Sequence, residues 1–158
     1  MPRRYRPPKR KIEPDVRYHS VQVQSFINRV MKNGKKSTAT RLTYDALNLI
    51  EKDLKKDPLD VFQQALKNVS PVMEVKPRRV GGATYQVPME VSADRQFALA
   101  TRWILAAARA RSGRSFSEKL AGELMDAYNN TGSSIRKRDE THKMAEANRA
   151  FSHYRIGR

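Results

Sequence analysis

The chain has 158 residues, no cysteine, and 32 Lys and Arg against 16 Asp and Glu, giving a formal net charge of +16 and a pI near 10.5. That length supports one domain with a core of ordinary size, the charge points to a polyanionic partner (RNA, DNA or an anionic membrane face), and the missing thiols exclude a disulfide framework and thiolate metal sites. No apolar run approaches the roughly 18 to 20 residues of a spanning helix, and the N-terminus, with Pro2, Pro7, Pro8 and Pro14, reads neither as a secretory signal nor as an amphipathic transit helix. A soluble protein of the cytosol or an organelle matrix is expected, with no membrane association.

In chain order, residues 1–18 read as a proline-studded basic arm carrying Arg3, Arg4, Arg6, Lys9, Arg10 and Lys11. Such a segment cannot bury enough apolar surface to fold alone, and its charges repel one another. Residues 19–148 read as a helical domain. Ser20 is a candidate N-cap for a first helix whose Val23, Phe26, Ile27, Val30 and Met31 share a face, and Asn33-Gly34 stops it. A second helix is predicted over 37–54, with Leu42, Ala46, Leu49 and Ile50 inward. Asp57-Pro58 supplies an N-cap and a first-turn proline for a third, striped by Leu59, Phe62, Leu66 and Val69.

Residues 72–91 then change character. They form two short extended runs joined at Gly81-Gly82, rich in valine, with Lys76, Arg78 and Arg79 on the first run and no cation on the second. Pro77 and Pro88 each remove a ladder donor, so neither run can be central in a sheet. The pattern predicts an isolated basic hairpin projecting from the helices. Ser92 is placed as the cap of a fourth helix with Ala93, Phe97, Ala100, Ile104, Ala107 and Ala108 inward and Trp103 in the core. Ser115 and Glu118 have capping-box spacing at the head of a fifth, which Asn129 to Gly132 ends. A sixth helix, over 134–148, is polar nearly all round, with Ile135 and Met144 as its main apolar residues. Such a helix docks weakly or bridges to a partner. Residues 149–158 are a basic tail with Arg149, Tyr154 and Arg155. The fold class is mainly α: a six-helix bundle with one protruding two-stranded hairpin and a basic N-terminal arm.

The sequence assembles no catalytic set. His19, His142 and His153 are scattered, without the spacing of a helical zinc site. Gly81-Gly82 lacks the Lys-Ser or Lys-Thr end of a phosphate loop, and no nucleophile elbow appears. Asp53, Asp57, Asp60, Asp139 and Glu140 sit among cations as solvated helix ends do. No enzyme, metal or cofactor is expected.

The cations group more tellingly. Lys76-Pro77-Arg78-Arg79 is one sign only, where a solvated ribbon usually mixes signs, and arginine grips phosphate with two parallel bonds. Lys32, Lys35 and Lys36 surround a loop that opens a helix, whose unpaired amides favour anions. Arg95, Arg102 and Arg109 recur every seven residues on one face of the fourth helix, followed by Arg111 and Arg114. Tyr5, Tyr18 and Tyr154 lie among cations, where base stacking and simple packing are equally open.

Four stretches carry a resemblance: MKNGKKSTA (31–39), EVKPRRVGGATYQVPMEV (74–91), RWILAAAR (102–109) and MAEANRAFSHYR (144–155). In this order and over nearly the whole chain, they resemble the bacterial-type small ribosomal subunit protein seven family. One departure is Ile156-Gly157-Arg158 after Arg155, where the family commonly has Trp. The resemblance implies a helical bundle with a protruding hairpin. It also implies binding to the 3′ major domain of 16S-type ribosomal RNA in the small-subunit head, near exit-site tRNA and mRNA and the small-subunit protein numbered eleven. The ribosome would be cytoplasmic or organellar. Carried onto this chain, RNA contacts fall on the arm, on Lys32 to Lys36, on Lys76, Arg78 and Arg79, and on the fourth-helix arginines. The hairpin tip, Val80, Gly81, Gly82, Ala83 and Thr84, would face tRNA. Two other readings rank behind it. An architectural DNA ribbon would carry a wedge at its tip, where this one has Gly-Gly. A nucleic-acid-processing enzyme would need a carboxylate or histidine cluster.

Overall fold

The computed structural model describes residue 8 and residues 11–154. Six helices and one hairpin follow in order: α1 (Val21–Val30), α2 (Lys36–Leu54), α3 (Pro58–Val69), β1 (Met73–Val80), β2 (Ala83–Glu90), α4 (Ala93–Ala110), α5 (Phe116–Tyr128) and α6 (Ser133–Ala147). A 3-10 helix, Arg149–Tyr154, ends the described chain. The expected mainly α fold with one antiparallel hairpin is the observed one.

Local chemistry sets the ends of the helices. Ser20 Oγ accepts from Val23 N at 3.5 Å, and the α1–α2 loop turns through Asn33 (φ 53°) and Gly34 (φ 73°). Asp57 Oδ1 accepts from Leu59 N at 2.8 Å with Pro58 opening α3, and the Ser115–Glu118 capping box is present at α5. Ser92 stands at the head of α4, but its side chain makes no capping bond; its carbonyl accepts from Gln96 N at 2.8 Å instead.

α5 is the hub, packed against α2, α3 and α4, with α1 closing the far side on α2 and α4. Phe26 of α1 meets Phe62 of α3 edge-on at 5.2 Å between centroids, and Leu47, Ile50, Ile104, Leu120 and Leu124 fill the space around them. Several inward assignments shift by one position. On α2 the buried line is Ala39, Thr43, Ala46, Leu47 and Ile50, while Leu42 and Leu49 are half-buried. On α4 it is Leu99, Ala100, Thr101, Ile104, Leu105 and Ala108; Ala93 is exposed and Trp103 half-buried at the edge of the core. A stripe of three or four residues per two turns fixes the face but not its centre, which depends on where neighbouring helices lie.

α6 differs most from expectation. It packs on β1, α4, α3 and α5, yet Met144 is left 49% exposed. Ser134, Ile135, Thr141 and Ala145 make its buried face, and polar bonds do much of the holding. Arg138 Nη1 donates to the Asn68 carbonyl, His142 Nε2 accepts from Val72 N at 3.1 Å, and buried Glu123 Oε1 accepts from Ser134 N and Oγ at 3.0 and 2.7 Å. Small side chains allow close approach, so a weakly apolar helix still docks.

Within the segment assigned to the arm, 15–18 are part of the body. Asp15 is 2% exposed; its Oδ2 accepts from Arg17 N and Tyr18 N, and its Oδ1 from the Tyr44 hydroxyl at 2.5 Å. Within the tail, the 3-10 helix lies against β2, with Phe151 and Tyr85 rings 5.4 Å apart.

Candidate nucleic-acid interface

The hairpin is in register from Met73↔Glu90 to Val80↔Ala83, so two residues make its turn. Gly81 (φ 59°) and Gly82 (φ 90°) both take positive φ, as the turn that matches strand twist demands. The ribbon is buried at its base, at Glu74, Val87 and Pro88, and exposed from Gly81 to Thr84 at its tip. Because strand side chains alternate, Lys76 and Arg78 share one face with Glu74, and Arg79 points to the other.

Glu74 ties this base to the bundle. Its carboxylate accepts two bonds from Arg95 Nε at 2.7 and 2.8 Å and pairs with Lys76 at 3.0 Å. Burial pushes its pKa up, but the hydrogen bonds from Arg95 and Lys76 outweigh that, and the carboxyl lies below its ordinary value. Two cations assigned to RNA are therefore partly neutralised at home. Arg111 is more firmly committed: Nη1 bridges Glu123 at 2.8 Å and Asp126 at 2.6 Å, and those bonds hold its guanidinium pKa above the usual value. It closes the α4–α5 corner and balances Glu123, which is fully buried. The expected row Arg95–Arg102–Arg109, with Arg111 after it, is thus divided by the fold.

Four of the remaining cations, Lys32, Lys35, Arg102 and Arg109, gather. Among the described residues, no ion pair engages Arg78, Arg79, Arg102, Arg109, Arg114, Lys32, Lys35 or Lys36. Lys32 and Lys35 of the α1–α2 loop line one cavity of about 260 Å³ together with Arg109 of α4. Arg109 also lines a second, about 250 Å³, with Arg102 and Arg29. Helix packing brings together two clusters some seventy residues apart in sequence. α2 itself begins with no side-chain cap and no acid in its first turn; Lys36 N donates to the Gly34 carbonyl at 2.8 Å, and the charged side chains around this end are cations. Arg29 was not singled out in the sequence. It sits on the polar side of α1, donates to the Ala98 carbonyl at 3.3 Å and stacks 5.3 Å over Phe97. Its only signal there was its position one turn before Lys32. Arg17 and Arg41, equally unforeseen, line a broad groove with Lys36 on the outer side of α2.

Tyr18 packs into the body edge-on to Tyr44, and burial raises its pKa. Tyr44 is pushed up to about 12 by burial and then by its bond to Asp15. Lys11 is exposed, and Arg149 lies in the 3-10 helix beside the hairpin base. Arg3, Arg4, Arg6, Lys9, Arg10 and Arg155 lie outside the described residues. No group of three or more His, Asp or Glu among the described residues could hold a metal, and no described helix is long and apolar enough to cross a membrane.

The model of the ribosomal protein S7p/S5e family matches residues 2–149. The chain belongs to that family. It is 59% identical over 154 residues to the small ribosomal subunit protein uS7 of Chloroflexus aggregans, covering 98% of each chain. To the uS7 of Thermotoga neapolitana it is 58% identical over 153 residues, covering 97% of this chain and 99% of the relative. To that of Desulfatibacillum aliphaticivorans it is 56% identical over 155 residues, covering 98% and 99%. Family membership makes this a ribosomal, RNA-binding structural protein of the small subunit and not an enzyme.

Proposed function

We propose that the protein anchors on the 3′ major domain of small-subunit ribosomal RNA and organises the head of the bacterial-type subunit. On this reading the acid-free cations of the hairpin, the α1–α2 loop and α4 take phosphates, the arm and the tail add further contacts, and the hairpin tip faces exit-site tRNA and mRNA. The small-subunit protein numbered eleven is a neighbour. The observation that carries the reading is the juxtaposition of Lys32 and Lys35 with Arg109, Arg102 and Arg29, unopposed by any carboxylate in the two cavities they line. Recognition would follow RNA shape and unpaired regions, because the A-form major groove is closed to side chains.

Arg78→Ala combined with Arg79→Ala tests the hairpin's share. Both residues lack ion pairs among the described residues, so the fold should not notice the change. Affinity for the isolated 3′ major domain should fall and the salt slope flatten by about 1.5 to 2, near one for each phosphate no longer neutralised. Unchanged affinity with an unchanged slope in filter binding removes the hairpin from the interface.

A further inference from the structure

The cavity between the α1–α2 loop and the start of α5 has a construction that phosphate binding alone does not explain. Its floor is apolar, made by Val30, Leu42 and Phe116, and its rim is cationic, made by Lys32, Lys35 and Arg109. Phe116 is the first residue of α5, half-buried, packed against the edge of the core and lining this space as well. A purely electrostatic phosphate site needs no such floor. A basic peptide would match the floor but not the rim, since no carboxylate lines the cavity to balance an incoming cation. The clefts beside Glu146 and beside Asp45 do carry acids.

We propose that this cavity holds one unpaired nucleobase of the bound RNA, a specificity site that rests on the anchoring role above. The base lies against Phe116 and Leu42. Its flanking phosphates meet Lys32 and Lys35 on one side and, through shared Arg109, the adjoining Arg29–Arg102 cleft on the other. A volume of about 260 Å³ admits a single base without admitting a duplex. Thr38, exposed on the cavity wall, makes no side-chain hydrogen bond among the described residues and offers a hydroxyl to a base edge. Unpaired bases stacked on aromatic side chains are how sequence enters RNA recognition when helical grooves are closed.

The test titrates the full chain with an adenylate hexamer and with its abasic counterpart, which has the same phosphates and no bases. The hexamer should bind roughly tenfold more tightly than the abasic strand, the worth of one stacked base. It should also shift the Val30 and Leu42 methyl resonances, which the abasic strand leaves in place. Phe116→Leu keeps apolar volume and removes the ring, and should close most of that affinity gap. Thr38→Arg blocks the cavity mouth from an exposed position, and should abolish the gap while raising the affinity of the abasic strand. Equal affinities for the two strands, or unmoved methyls, overturn the base site. If the 3′ major domain then still binds with a steep salt slope, the anchoring reading stands. If salt-dependent binding to that domain is also missing, both fall.

Discussion

Arg111 shows how far a single side chain's role depends on what surrounds it. In the sequence it is one more arginine in a basic run; in the fold it neutralises Glu123, which has no exposure at all, and Asp126 beside it. Arg111→Ala should therefore destabilise by about 3 kcal/mol, because it strands a buried carboxylate. Arg102→Ala, at an exposed position without an ion pair, should stay within about 0.5 kcal/mol in the same urea titration. RNA affinity at constant folded fraction should show the reverse order. Tyr44 offers a second residue-level check. Its pKa is raised from 10.0 to about 12, so the native state holds a proton that the unfolded state gives up first. Its contribution is present in full below pH 10 and is lost as pH rises toward about 12. Alkaline unfolding curves of Tyr44→Phe should lack that component of the slope, and equal slopes would contradict the assignment.

At the scale of elements, α2 begins without the capping that its neighbours have. Its N-cap is Lys35, without a capping bond, and its first turn holds no acid, whereas α3 and α5 carry both. Cations there oppose the helix dipole. Lys35→Asp should thus raise stability by about 0.5 to 1 kcal/mol through capping and the helix dipole. The same change should weaken binding to ribosomal RNA, since it puts a negative charge on the rim of the Arg109 cavity. Calorimetry and filter binding on one variant would have to move in opposite directions. The hairpin has a related division of labour. Its base is fixed by Glu74, Arg95 and the packing of α6, the 3-10 helix braces it as far as Tyr85, opposite Arg78, and the exposed Gly81-Gly82 turn lies beyond.

For the whole molecule, a formal charge of +16 has to be reconciled with a stable fold. The helices do so by keeping an apolar core free of lysine and arginine and by pairing the few cations that approach it with acids. On the proposed anchoring role, the unpaired remainder would set the thermodynamics of binding. With about six phosphate contacts, affinity for the 3′ major domain should drop on the order of 10³ between 50 and 200 mM salt. A shallow dependence measured by filter binding over that range would mean that apolar and hydrogen-bond interactions dominate instead.

The sequence by itself determined the helices, the caps at Ser20, Asp57 and Ser115, the two-glycine hairpin turn and the polyanionic partner. These are local matters: a proline, a capping serine, a positive-φ glycine or a run of one charge acts through its immediate neighbours. The family stretches, too, lie in contiguous segments. Tertiary structure alone decided which cations remain available. Arg95 and Arg111 differ from Arg102 and Arg109 only through acids 12 to 21 residues away, Glu74, Glu123 and Asp126, brought within 3 Å by packing. Arg29, Lys32, Lys35 and Arg109 became neighbours in the same way, across the contact of α1, α2 and α4. The docking of polar α6 was equally hidden, because small buried side chains and a carboxylate lent by α5 leave no apolar stripe to read. Charge pairing and cavities form where elements meet, and the meeting is fixed by the shape of the packed core, which no local pattern encodes.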